Sequence, residues 1–189
     1  MAVVKVPITR EIRGHKSVRE ALRDTCLALA GRLEQRMYGP GDNALAPPGD
    51  QTRRSVYLRV KRNDLDPLLA AFDAPVPSGP TGRRDVTNVP GQSLTLLNDP
   101  FVRELADHWA HRLAQDPALA DAPTRIRAMF LQALARPPTA AELERSQRFV
   151  AWAATPDSPT PAGQSAAAPA PWADLAHALF NLKEFIFIP

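Results

Sequence analysis

The sequence predicts a mainly α fold, an irregular bundle of short helices with one or two short strands and a long ordered arginine-rich loop. Three observations lead there. Apolar residues recur at helical spacing in several stretches, helix-start signals of the Asp-Pro and Ser/Thr-x-x-Glu kinds punctuate the chain, and 20 prolines in 189 residues keep every element short. Hydrophobic residues make up 44% and charged residues 23%, ordinary globular usage, so the chain has the means to bury one core.

Residues 1–16 read as an irregular N-terminal segment, a truncation remnant. Ser17-Val-Arg-Glu20 is a capping box, and Val18, Leu22, Cys26, Leu29 and Leu33 follow as one apolar stripe. Arg19, Arg23, Asp24, Arg32 and Glu34 are assigned to the opposite face, and Gly39-Pro40-Gly41 is expected to end the helix. Residues 39–52 hold Gly, Pro, Asp and Asn and read as a loop. Ser55 to Val60 alternates, with Val56, Leu58 and Val60 on one side, the pattern of a half-buried strand. Such a strand needs a backbone partner, and the apolar tip Phe185-Ile-Phe-Ile188 is the expected one.

Asp66-Pro67 caps and opens a short helix with Leu68, Leu69 and Phe72 inward, and a long Pro/Gly-rich loop runs from Asp73 to Val89. Pro90 opens a helix through Leu97, and Asp99-Pro100 begins the next, whose stripe is Phe101, Leu105, Trp109 and Leu113. Asp116-Pro117 closes it. A further helix carries Ile126, Met129, Phe130, Ala133 and Leu134, stopped by Pro137-Pro138. Thr139-Ala-Ala-Glu142 is a second capping box, with Leu143, Val150 and Ala151 on the inner side. The helical domain thus spans 17–154. Residues 155–170 (TPDSPTPAGQSAAAPA) are too poor in large apolar groups to offset ordering entropy and read as a flexible insertion. Residues 171–189 form a C-terminal helix and tip that dock back through Trp172, Leu175, Leu179 and Phe180.

The charge pattern narrows the partners. The net charge of +3 arises from 23 basic and 20 acidic residues interleaved along the chain, which points away from nucleic acid. No apolar run is long enough to span a membrane, and the N-terminus lacks the apolar stretch of a secretory signal. Cys26 is the single cysteine, so the chain itself can hold neither an internal disulfide nor a c-type haem, and no cofactor is expected within it. No nucleophile elbow, Cys–His context or phosphate loop marks an enzyme, and the reading leans toward a non-enzyme.

Five pieces of the sequence resemble, in order and spacing, the planctomycete-type PSD domain family of unknown function. They are Arg53-Arg-Ser-Val-Tyr57, Phe72-Asp-Ala-Pro75, Gly82 to Pro90 continuing through Gln92, Asn98 and Phe101, Arg136-Pro-Pro-Thr139 with Glu142, and Trp172 to Phe185 with Asn181 and Glu184. The resemblance implies a C-terminal domain of a large exported, periplasmic protein that carries haem c in a separate N-terminal domain absent here. It implies the other domains of that protein as partners.

The candidate binding residues, all within those motifs, are Arg53, Arg54, Asp73, Arg83, Arg84, Gln92 and Asn98. As a site, the paired arginines offer planar forks to the sulfate or carboxylate groups of an anionic polysaccharide, with Gln92 and Asn98 adding neutral hydrogen bonds. As structure, Asp73 pairs with one arginine and the rest hold loop carbonyls, and this is the reading that carries more weight. Glu104, His108 and His111 share a helix face, but the metalloprotease spacing is missing and a solvated surface is the expected role.

Overall fold

The computed structural model describes residues 18–43, 46–47, 50–61, 65–74, 90–155 and 170–186. Among them are helices α1 (Val18–Ala30), α2 (Pro67–Ala71), α3 (Pro90–Asn98), α4 (Pro100–Ala114), α5 (Ala122–Leu134), α6 (Ala140–Ala153), α7 (Ala170–Phe180) and α8 (Lys183–Ile186). Two 3-10 turns, Ser55–Tyr57 and Pro117–Leu119, and two short strands, β1 (Asp42–Asn43) and β2 (Leu58–Arg59), complete them. The fold is mainly helical, as the sequence predicts. The N-terminal segment, Ser17 of the first capping box and most of the Pro/Ala-rich insertion lie outside the described residues.

α4 is the central helix. Its stripe of Phe101, Leu105, Trp109 and Leu113 is buried, and Val102, Ala106 and Ala110 beside it are buried as well, so α4 can receive α1 on one side and α7 on another. From α7 come Leu175, Ala176, Leu179 and Phe180. The Trp109 and Phe180 rings stack at 5.3 Å, and Phe180 meets Phe185 of α8 at 5.2 Å. The Trp109 indole N–H donates to Gln132 Oε1 of α5 at 3.1 Å, so the largest buried side chain has its one polar atom satisfied.

The caps act where the sequence puts them. Asp66 accepts from the Leu69 N–H and Asp99 from those of Phe101 and Val102; Asp116, expected only to close α4, also caps the 3-10 turn Pro117–Leu119 by accepting from the Ala118 N–H. Thr139 and Glu142 form the reciprocal capping box of α6. α1 ends earlier than expected, at Ala30. Gly31 takes φ +71° and donates to the Ala28 carbonyl at 3.1 Å while Arg32 donates to that of Leu27 at 2.9 Å, a closing pair that only a residue free of Cβ strain makes cheaply.

Four expectations need correction. Ser55–Val60 is not one strand: Ser55–Tyr57 coils into a 3-10 turn, only Leu58–Arg59 extends, and Val56 and Val60 face solvent while Leu58 is buried. The turn forms because Asp24 Oδ1 accepts from both the Ser55 N–H at 2.7 Å and its hydroxyl at 2.8 Å, drawing the chain inward. The partner of β2 is β1, in parallel register with Asp42 opposite Leu58 and Asn43 opposite Arg59. The tip is not a strand at Phe185–Ile186, which lie in α8. The C-terminal helix breaks at Asn181–Leu182, with the Phe185 and Ile186 N–H groups donating to the Leu182 carbonyl. Finally, Ala151 on α6 is exposed although Val150 is buried.

Candidate functional site

The expected site residues divide by what their side chains reach. Arg53 is 1% exposed. Its Nη1 donates to the Pro40 carbonyl at 2.7 Å, and its Nη2 to those of Tyr38 at 2.7 Å and Arg36 at 3.2 Å. The guanidinium lies over the Tyr57 ring at 4.0 Å, and Asp42 Oδ1 is 3.6 Å from Nη1. One planar cation therefore ties residues 36–40 to the 3-10 turn, satisfying carbonyls that have no helix or ladder to join. The loop it holds has Tyr38 and Gly39 at φ +64° and +84°. Gly41 follows where an added Cβ would meet the Tyr57 carbonyl at 2.8 Å, so the loop passes tightly over that backbone.

Behind Arg53 stands Arg23 of α1, which the sequence reading assigned to the outer polar face. It is fully buried. Nη1 donates to the Arg53 carbonyl at 2.9 Å and Nη2 to that of Gln51 at 3.3 Å, and the guanidinium sits 5.0 Å over the Phe101 ring. Burial lowers its pKa from the ordinary arginine value, with Asp24 the main opposing charge. The available signal was spacing: Leu27 and Ala30, both buried, stand four and seven residues after Arg23 on the same face.

The remaining expected residues do not join Arg53 in one fork. Arg54 is half exposed, with Nε 3.5 Å from Asp24 Oδ2. Asp73 occupies a left-handed turn at φ +63° after α2, and Gln92 is buried on α3. Asn98 donates to the Leu94 carbonyl one turn back, at 2.8 Å. Arg83 and Arg84 lie outside the described residues.

Asn98 does border a cleft of about 410 Å³. The cleft opens between the N-termini of α2 and α4 and is walled by Pro67, Leu68, Pro100 and Phe101, with Asp66 and Asp99 at its polar edge. Desolvation raises the pKa of Asp99 from the usual carboxylate value. The capping N–H groups of Phe101 and Val102 oppose that, and Asp66 adds to it.

The row Glu104, His108 and His111 gathers no metal set: among the described residues no three ligating side chains converge. His108 Nε2 lies 3.2 Å from Arg32 Nη1 and 3.6 Å from Glu104, ordinary partners for a half-exposed imidazole.

A second arginine node was not read as one. Arg136, just after α5, donates from Nε and Nη2 to both oxygens of Glu184 at 2.7 Å each, and from Nη1 and Nη2 to Glu142 at 2.9 and 2.8 Å. The two carboxylates come from α8 and α6, so the node joins three elements. Both are held below their ordinary pKa by the Arg136 hydrogen bonds, Glu142 to about 2. The signal was present as two separate motifs, Arg136-Pro-Pro-Thr139 with Glu142 and the stretch ending at Glu184, whose meeting in space no spacing rule gives.

No curated protein and no solved structure matches the chain. A family model does, over residues 12–150, from before α1 into α6, so that α7 and the Phe180 ring stacked on Trp109 lie beyond the matched stretch. Since the match covers well over half of the sequence, the chain belongs to the PSD1 family, described as proteins of unknown function (DUF1553).

Proposed function

We propose that the chain is a non-catalytic accessory or interaction module of a larger multidomain, haem-containing exported protein, and that it offers its partner domains the loop held by Arg53. One observation carries this reading. The buried guanidinium of the family-like motif is spent on the carbonyls of Arg36, Tyr38 and Pro40, and the loop it fixes shows Met37 at 65% and Tyr38 at 80% exposure. Val56 at 73% flanks them, on the turn whose Tyr57 hydroxyl is 3.4 Å from the Tyr38 N–H. Aromatic residues and methionine are the types enriched at protein interfaces, and a loop fixed in advance loses little entropy on docking. The haem belongs to the other domains in this reading, because the single cysteine, Cys26, lies buried among Leu22, Leu27 and Leu29.

The test is a titration of the isolated chain against the remaining domains of the full-length protein, with wild type and the double variant Met37→Ser/Tyr38→Ser. Both side chains are exposed, so the variant should melt within about 0.5 kcal/mol of wild type in stability. We expect its affinity to fall at least about tenfold, a loss of ~1.4 kcal/mol. Unchanged affinity overturns the choice of surface, and absence of any association overturns the accessory reading.

A further inference from the structure

We propose that the surface around Met37, Tyr38 and Val56 docks an acidic protein segment, one in which aspartate or glutamate is interspersed with apolar or aromatic side chains. The inference rests on the interaction reading above and names the chemistry of the partner.

Charge comes first. The stretches 36–40 and 54–61 carry four charged side chains, Arg36, Arg54, Arg59 and Lys61, all basic and all exposed, so a partner meets positive charge wherever it approaches the apolar patch. The two stretches form one face. Arg53 ties the carbonyls of residues 36, 38 and 40 to the turn Ser55–Tyr57, and a Cβ added at Gly41 would lie 3.4 Å from the Arg59 Cβ, so the loop runs beside β2. Val60, 54% exposed, continues the apolar patch between Arg59 and Lys61.

The nearby carboxylates do not cancel this charge. Asp24 accepts from the Ser55 N–H and hydroxyl, and Asp42 Oδ1 lies 3.6 Å from the buried Arg53. Arg36 Nε is 3.4 Å from Glu34 and Arg54 Nε 3.5 Å from Asp24. Both arginines are more than half exposed, so most of their N–H donors still face water. Arg59 pairs with no carboxylate among the described residues. Three of the four cations are arginines, whose planar fork matches a carboxylate, and two of them already hold one. The exposed Met37, Tyr38 and Val56 favour a protein segment over a sulfated sugar, which offers them no apolar surface. The patch lies on a fixed loop and turn rather than along an amphipathic helix, which favours a segment over a lipid surface.

The probes are random copolymers of glutamate with tyrosine and of lysine with tyrosine, polyglutamate, dextran sulfate and phosphatidylglycerol vesicles. Each is titrated into the whole chain, and binding is read from the amide signals of residues 36–39 and 56–61. We expect the glutamate–tyrosine copolymer to bind saturably, at least about tenfold more tightly than polyglutamate, and the lysine–tyrosine copolymer not to bind. Arg59→Glu and Met37→Ser/Tyr38→Ser should each weaken the glutamate–tyrosine copolymer at least about tenfold without lowering the melt, since all three side chains are exposed. Should a variant fail to fold, the comparison of the copolymers on wild type decides alone. Equal binding of the two tyrosine copolymers, or no binding of the glutamate–tyrosine copolymer, overturns the proposal. Dextran sulfate bound as tightly and insensitive to Met37→Ser/Tyr38→Ser assigns a polysaccharide and overturns it, and so does capture by the vesicles without the copolymer, which assigns a lipid surface. Arg59→Glu in the titration against the remaining domains separates this inference from the reading beneath it. Association that ignores the charge reversal overturns the acidic partner alone; no association, with the copolymer preference intact, overturns the accessory reading alone.

Discussion

Replacing Arg136 by Met should remove both carboxylate pairs while leaving an apolar stem near Phe130, over whose ring the guanidinium now sits at 5.8 Å. The four bonds of 2.7–2.9 Å to Glu142 and Glu184 have good geometry, but the three side chains are each roughly a third exposed, so water screens them. At that exposure two bidentate pairs contribute together about 1–2 kcal/mol, well below what the pKa shifts alone would suggest. For a chain of this size that is a fall in Tm of about 2–8 °C at neutral pH. The pH dependence has a definite sign. Glu142 is held at about 2 and Glu184 also below its ordinary value. A depressed carboxylate stabilises fully above its unfolded pKa, about 4.3 for glutamate, and the gain is lost as pH falls toward the folded value. The gap between wild type and Arg136→Met should therefore be constant from pH 7 to about 5 and shrink between about 4.3 and about 2. Thermal melts by circular dichroism at pH 7, 5 and 3 measure it. A gap that is absent at pH 7, or that widens on acidification, refutes the reasoning.

Other outcomes follow from the core. Phe180→Ala removes a ring stacked on Trp109 and touching Phe185, and should cost about 3–5 kcal/mol, against little for Ala at the exposed Leu131; denaturant unfolding of both variants checks this. Cys26 is buried and its thiol pKa is pushed far up by desolvation, so iodoacetamide at pH 8 should label it only in urea. Rapid native labelling would contradict the placement of α1. Asp99→Ala should cost about 1 kcal/mol through the lost cap of α4 while Asp99→Asn costs a few tenths, measured by the same melts.

Local chemistry made much of this fold legible. Asp-Pro pairs at 66 and 99 and the Thr139/Glu142 box state where helices begin because the capping oxygen and the first orphan N–H groups lie within three residues of each other. The stripe through Trp109 states which face is buried for the same reason of short range. The misread segments depend on distant partners. Ser55–Val60 has the alternation of a strand, yet Asp24, some thirty residues earlier, winds its start into a turn, and its parallel partner is two polar residues with no strand signal. Phe185–Ile188 is an apolar run of a length compatible with helix or strand, and its described part closes on Leu182 as a helix. For the arginines, residue type indicated a planar fork but not its target. Arg53 finds carbonyls, Arg136 finds two glutamates from different helices, and Arg23 is buried against backbone that its own neighbours do not supply. The cleft was invisible because its edge comes from two elements more than thirty residues apart.

The most direct test of the interaction reading is hydrogen–deuterium exchange of residues 36–40 and 56–60 in the chain alone and in the full-length multidomain protein that this reading proposes. We expect slower exchange in those two stretches in the full-length protein, with the exposed side of α5 around Leu131 unchanged. Identical exchange in both forms would contradict the claim that Arg53 holds this loop for a partner domain.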